Sequence, residues 1–124
     1  ASEEEMVRSM AEGLGPRVTV AAGKTSVKQA AALIEQCDLL VCNDSGLMHV
    51  AAAVGTPIVA VYGSTSPRNT PPLAEHSELV WLGLSCSPCH QKICPLGHLN
   101  CLKTLEVGQV VAAADRLLEL PAAA

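Results

Sequence analysis

Residues 37–57 read Cys-Asp-Leu-Leu-Val-Cys-Asn-Asp-Ser-Gly-Leu-Met-His-Val-Ala-Ala-Ala-Val-Gly-Thr-Pro, and that order leaves few folds open. The short apolar run at 38–42 suits a strand buried on both faces, whereas 46–54 has the small-residue make-up of a helix stopped by Gly55 and Pro57. A polar turn joins them. The first N–H groups of a helix lack intrahelical partners and carry the positive end of its dipole, so a turn of this kind can hold an anion. Asp44 or Ser45 can cap the helix, Gly46 lets a ligand approach the backbone, and His49 shares a helix face with Ser45 four residues earlier. The plain alternative is that Asn43, Asp44 and Ser45 only cap the helix and that His49 fills the core.

The flanking chain repeats the theme. Residues 3–14 carry three glutamates and then Met6, Val7, Met10 and Leu14 at helical spacing, ending near Gly13 to Pro16. Residues 17–21 read as a short strand, and Ser26 can cap a helix over 27–36 whose apolar side is Ala30, Ala31, Leu33 and Ile34. Ile58 to Tyr62 reads as a second fully buried strand. It opens into Gly63-Ser64-Thr65-Ser66-Pro67, a small, hydroxyl-rich loop. A further strand is expected at 78–82 and a last helix over 105–120, with Val107, Val110, Val111, Ala114, Leu117 and Leu118 inward. Strands alternating with helices give an α/β class with a parallel sheet and right-handed crossovers, so the loops at 43–49 and 63–67 open on one edge. Ligands in such sheets lie beyond the carboxyl ends of the strands.

Composition narrows the functions. The chain has 124 residues, 49% of them hydrophobic, enough for one modest core, and only Tyr62 and Trp81 are aromatic. A net charge of −4 without a basic patch argues against nucleic acid. No apolar run approaches the roughly 20 residues of a membrane span and nothing resembles a secretory signal, so the default location is cytoplasmic, with peripheral association at the inner membrane as the alternative. The chain begins with Ala rather than Met, as a fragment would.

Two constellations bear chemistry. The paired loops offer glycine, hydroxyls, helix N–H groups and His49 to a phosphate-bearing ligand, with neither a Gly-x-Gly-x-x-Gly nor a Walker loop present. Asp44 would repel a phosphate at close range, so it suits loop bracing or sugar hydroxyls. The other constellation is Cys86, Cys89, Cys94 and Cys101, four thiols within residues 86–101. In a reducing compartment this spacing favours a structural zinc site over disulfides, with an iron–sulfur cluster a lesser option and His90 and His98 as replacement ligands; the plain alternative is four unligated cysteines in a compact loop, or two labile disulfides. Cys37 and Cys42 read as core residues.

The run Asn43-Asp44-Ser45-Gly46-Leu47-Met48-His49, with Ala51 to Ala53, Gly55-Thr56-Pro57 and Tyr62 to Pro67 after it, resembles glycosyltransferase family 9, the heptosyltransferases. The resemblance spans nearly the whole chain. It implies a Rossmann-like parallel sheet with flanking helices, forming part of the C-terminal donor domain of a two-domain GT-B enzyme and lacking that domain's first strand and helix. The activity implied is inverting transfer of heptose from ADP-heptose to the lipopolysaccharide inner core, with acceptor and catalytic base in a domain absent from this chain. Carried over residue by residue, Ser45 and Gly46 hold the diphosphate, His49 supports that site, Asp44 faces the heptose or its phosphate linkage, Glu3 matches an acidic residue on the ribose, and the backbone around Thr25 lies near the adenine. No cofactor is required. The four-cysteine loop occurs in some members and not others, which makes it a structural brace. Two other readings remain: a zinc-braced α/β interaction module without catalysis, and a GT-B transferase using a different nucleotide sugar.

Overall fold

The computed structural model describes residues 2–119. Three parallel strands, β1 (Leu40–Asn43), β2 (Ile58–Tyr62) and β3 (Ser77–Trp81), lie in the order β1-β2-β3. The helices are α1 (Glu3–Ala11), α2 (Val27–Glu35), α3 (Gly46–Val54), a single turn α4 (Asn100–Lys103) and α5 (Val107–Leu118).

β2 is the centre because its residues alternate between two cores. Ile58, Ala60 and Tyr62 pack with Ile34 of α2 and with Met48 and Ala51 of α3. Val59 faces the other way, with Val80, Ala113 and Leu117. Successive strand residues point to opposite faces, so one strand buried on both sides yields a three-layer α/β/α sandwich. The small side chains of Ala51, Ala60 and Ala113, all fully buried, let helices approach the sheet closely.

Local signals set the helix ends. Ser26 and Gln29 form a reciprocal capping box at the start of α2. Gly55 ends α3 at φ 82°, a left-handed conformation that glycine adopts without a Cβ penalty, and the Thr56 N–H then bonds the Ala51 carbonyl. The buried Thr56 hydroxyl donates to the Ile34 carbonyl at 2.8 Å and fastens α2 to α3.

Several expectations are corrected. Residues 17–21 form no strand: Val18 is 43% exposed, and among the described residues no strand pairs with that segment. A strand without a ladder leaves its backbone to water. β1 is covered on one face only, because α3 packs on it while α5 packs over β2 and β3, and Val41 is 50% exposed. α1 stops at Ala11, where Glu12 turns to an extended ψ of 131°, and Met6, Met10 and Leu14 stay exposed. α5 buries Ala113 and Leu117 and half-buries Val110 and Ala114, while Val107, Val111 and Leu118 face outward. Leu33 is exposed, leaving Ile34 as the buried residue of α2. Cys37 is also exposed rather than in the core; its thiol donates to the Leu33 carbonyl at 3.3 Å.

Candidate functional site

In register, Asn43 of β1 lies beside Val61 of β2, so the loops that leave both strands do so side by side at the same sheet edge. The first loop runs into α3. Ser45 is extended, at φ −153°, and occupies the cap position, yet neither its hydroxyl nor Asp44 caps the helix through a side chain. The carboxylate is committed elsewhere: Asp44 Oδ2 accepts from the Thr70 hydroxyl at 2.7 Å. Among the described residues the N–H groups of Gly46 and Leu47 have no protein acceptor, as expected for a first helical turn. His49 is exposed, which excludes a core role for it.

The second loop is tied to the first. Tyr62, fully buried, donates its hydroxyl to the Thr70 carbonyl at 2.6 Å and rests against the Met48 sulfur under α3. Thr70 therefore joins Asp44 to Tyr62. Burial, and after it the negative charge of Asp44 and then Cys42, pushes the Tyr62 phenol up to about 12. Burial and then Asp44 also raise the Cys42 thiol. The Ser66 hydroxyl accepts from the Arg68 N–H, and Thr70 N–H bonds the Ser66 carbonyl, which curls the loop back. The N–H groups of Ser64 and Thr65 donate to no acceptor among the described residues. Two adjacent loops thus present unpaired N–H donors at one edge, a setting that favours an anion.

Glu3 and Thr25 stand apart from this cluster. Both are exposed, and neither hydrogen-bonds to either loop. The first turn of α1 does reach the turn before α2, but through its neighbour: a Cβ on Gly23 would fall 2.8 Å from Glu4 Oε2. Glu4 also pairs with Arg8 along α1.

Cys86, Cys89, Cys94 and Cys101 line one cavity of about 130 Å³, together with Gly63, Ser64, His98 and Leu102. The expected metal cluster is not assembled: among the described residues no group of three or more His, Cys, Asp or Glu stands in a position to hold an ion, and all four thiols are free. The four thiols share one cavity without three of them standing close enough to hold an ion together. The nearby backbone N–H groups, that of Leu99 foremost, lower the Cys94 thiol, with burial opposing them. What the segment does hold is the second loop, through Ser87, Cys89 and His90.

Sequence reasoning missed Thr70, Tyr62 and Ser87. Only Tyr62 carried a signal, as a lone phenol in a chain almost without aromatic residues.

The arrangement is a parallel α/β fold with two N–H-presenting loops at the carboxyl edge of its strands. Comparison with known proteins makes this specific. The family model for glycosyltransferase family 9 (heptosyltransferase) matches residues 1–100, and the chain belongs to that family. It is 42% identical over 97 residues to lipooligosaccharide heptosyltransferase 2 of Campylobacter jejuni, covering 77% of this chain and 30% of that protein. Among solved structures, E. coli ADP-heptose lps heptosyltransferase II matches with a TM-score of 0.64 and 39% identity, over 79% of this chain and 27% of that one. The glycosyl transferase family 9 structure from Veillonella parvula matches with a TM-score of 0.75 and 34% identity, over 92% and 33%. The chain spans about a third of the length of these relatives. None of its described helices is long and apolar enough to cross a membrane.

Proposed function

We propose that this chain is the donor-binding part of an inverting glycosyltransferase that moves heptose from ADP-heptose to the lipopolysaccharide inner core. The observation that carries the reading is the pair of N–H-presenting loops at one sheet edge, in a chain whose relatives are named heptosyltransferases. Ser45 and Gly46 supply donors to the diphosphate, with the Ser64 and Thr65 amides on its other side. His49 adds a donor one turn along α3. Asp44, held by Thr70, faces the sugar, while Glu3 and Thr25 serve the ribose and adenine.

The chemistry is set by where charge develops. An acceptor hydroxyl, deprotonated by a base outside this chain, attacks the anomeric carbon from the face opposite the diphosphate. The bond to the diphosphate oxygen breaks, the configuration inverts, and ADP departs. Negative charge grows on that leaving oxygen, so preorganised N–H groups and His49 lower the barrier there without a metal ion. The reaction runs on the cytoplasmic side, at the inner membrane where the acceptor is built. With the acceptor's base placed outside these residues, purified chain alone is expected to show no transfer from ADP-heptose.

Calorimetric titration with ADP, ADP-heptose and UDP tests the reading, repeated on Asp44→Asn and His49→Ala. Selective adenine-nucleotide binding that both substitutions weaken is the expected result. Preference for UDP would replace the heptose donor with another nucleotide sugar on the same architecture.

A further inference from the structure

The Gly63 carbonyl accepts from the Ser87 hydroxyl, which in turn accepts from the Trp81 indole N–H at 3.0 Å. The next carbonyl, of Ser64, accepts from the N–H groups of Cys89 and His90 at 3.0 and 2.8 Å. Both contacts come from the segment leaving β3. Glycine at 63 makes room for the Leu102 side chain on the same wall, since a Cβ there would fall 2.8 Å from it.

A trans peptide unit is planar, with its C=O and N–H pointing in opposite directions. Fixing the Gly63 carbonyl therefore fixes the Ser64 N–H on the far side, and fixing the Ser64 carbonyl does the same for the Thr65 N–H. Neither amide has an acceptor among the described residues. β3 lies on one side of β2 and β1 on the other, so the far side is the one where the loop after β1 begins.

We propose that Ser87, acting with the Cys89 and His90 amides, is a positioning residue that aims the Ser64 and Thr65 N–H groups at the donor diphosphate. The inference rests on the reading of the two loops as the diphosphate cradle, and it gives the cysteine segment a role in binding rather than in chemistry. Ser87 touches no ligand. It sets the direction of groups that do.

The test compares the unmodified chain with Ser87→Ala and Ser87→Thr, titrated with ADP and with adenosine, which lacks the diphosphate. Losing one half-buried hydrogen bond's worth of orientation predicts a roughly 3- to 10-fold weaker ADP affinity for Ser87→Ala, unchanged adenosine affinity, and recovery in Ser87→Thr, which keeps the hydroxyl. Equal loss for both ligands, or no loss for ADP, overturns the proposal. Amide NMR without ligand separates the two layers of the argument. The Ser64 and Thr65 signals must move in Ser87→Ala and return in Ser87→Thr; if they stay in place there is no brace. Failure of the unmodified chain to bind ADP, with those signals moving, would remove the cradle reading while leaving the brace standing.

Discussion

The two loops at the sheet edge reach similar ends by different means. The loop after β1 is shaped by the helix it runs into, since α3 begins at Gly46 and its first turn supplies the open N–H groups. The loop after β2 has no helix to shape it. Its carbonyls are gripped by Ser87, Cys89 and His90, more than 20 residues on, and its far end is held by Asp44 through Thr70. A helix terminus is a local device, whereas a braced loop depends on several distant contacts, so the second loop is the one whose shape small changes alter most.

Removing what both loops share has the largest expected effect. Tyr62 sits under α3 and holds Thr70, so Tyr62→Ala creates a cavity and frees the second loop, at a cost of about 3–5 kcal/mol in denaturant unfolding. Thr70→Val is smaller and more selective. It strips the donor from the half-buried Asp44 carboxylate, which costs roughly 1–3 kcal/mol, and it separates the loops without touching α3. A hydrogen-exchange measurement that found residues 63–70 no less protected in Thr70→Val than before would break the comparison.

Titration of the same tyrosine gives a further effect. Because burial and Asp44 raise the Tyr62 phenol from 10.0 to about 12, the unfolded chain releases this proton first as pH rises. The folded state then holds more protons than the unfolded one, so stability falls between pH 10 and 12 and is unaffected by this group below that window. Tyr62→Phe should remove that part of the alkaline slope. An unchanged slope would mean that the phenol ionises in both states alike.

How much of this was legible in the sequence depends on how far apart the interacting residues are. Ser26 with Gln29, and Gly55 with Pro57, mark helix ends within a few positions, and α2, α3 and β2 fall where those signals put them. The shared edge for the two loops is a consequence of parallel strands. The 17–21 segment failed because β propensity says nothing about whether a partner strand is at hand. α5 was read too widely, since a helix of Val and Ala offers several apolar faces: Val110, Ala114 and Leu117 do face the sheet, but so does Ala113, while Val107, Val111 and Leu118 turn outward. Thr70 was hidden because its partner Asp44 is 26 residues away. The cysteine spacing carried the number of thiols but not their placement around a cavity wall.

The smallest expected effect concerns that cavity, and it sharpens the contrast between the loops. If the brace rests on hydrogen bonds from Ser87, Cys89 and His90, stripping metal with a strong chelator under reducing conditions should leave the unfolding midpoint unchanged to within about 1–2 °C, which for a domain of this size is well below 1 kcal/mol. A tetrathiolate zinc site would behave otherwise, because its binding energy is folding energy and its removal lowers stability outright. A drop of several degrees, restored by zinc and abolished in Cys94→Ser, would mean that the four thiols converge on an ion. The second loop would then be set by metal occupancy and the first by a helix, and the two loops of one sheet edge would answer to different conditions.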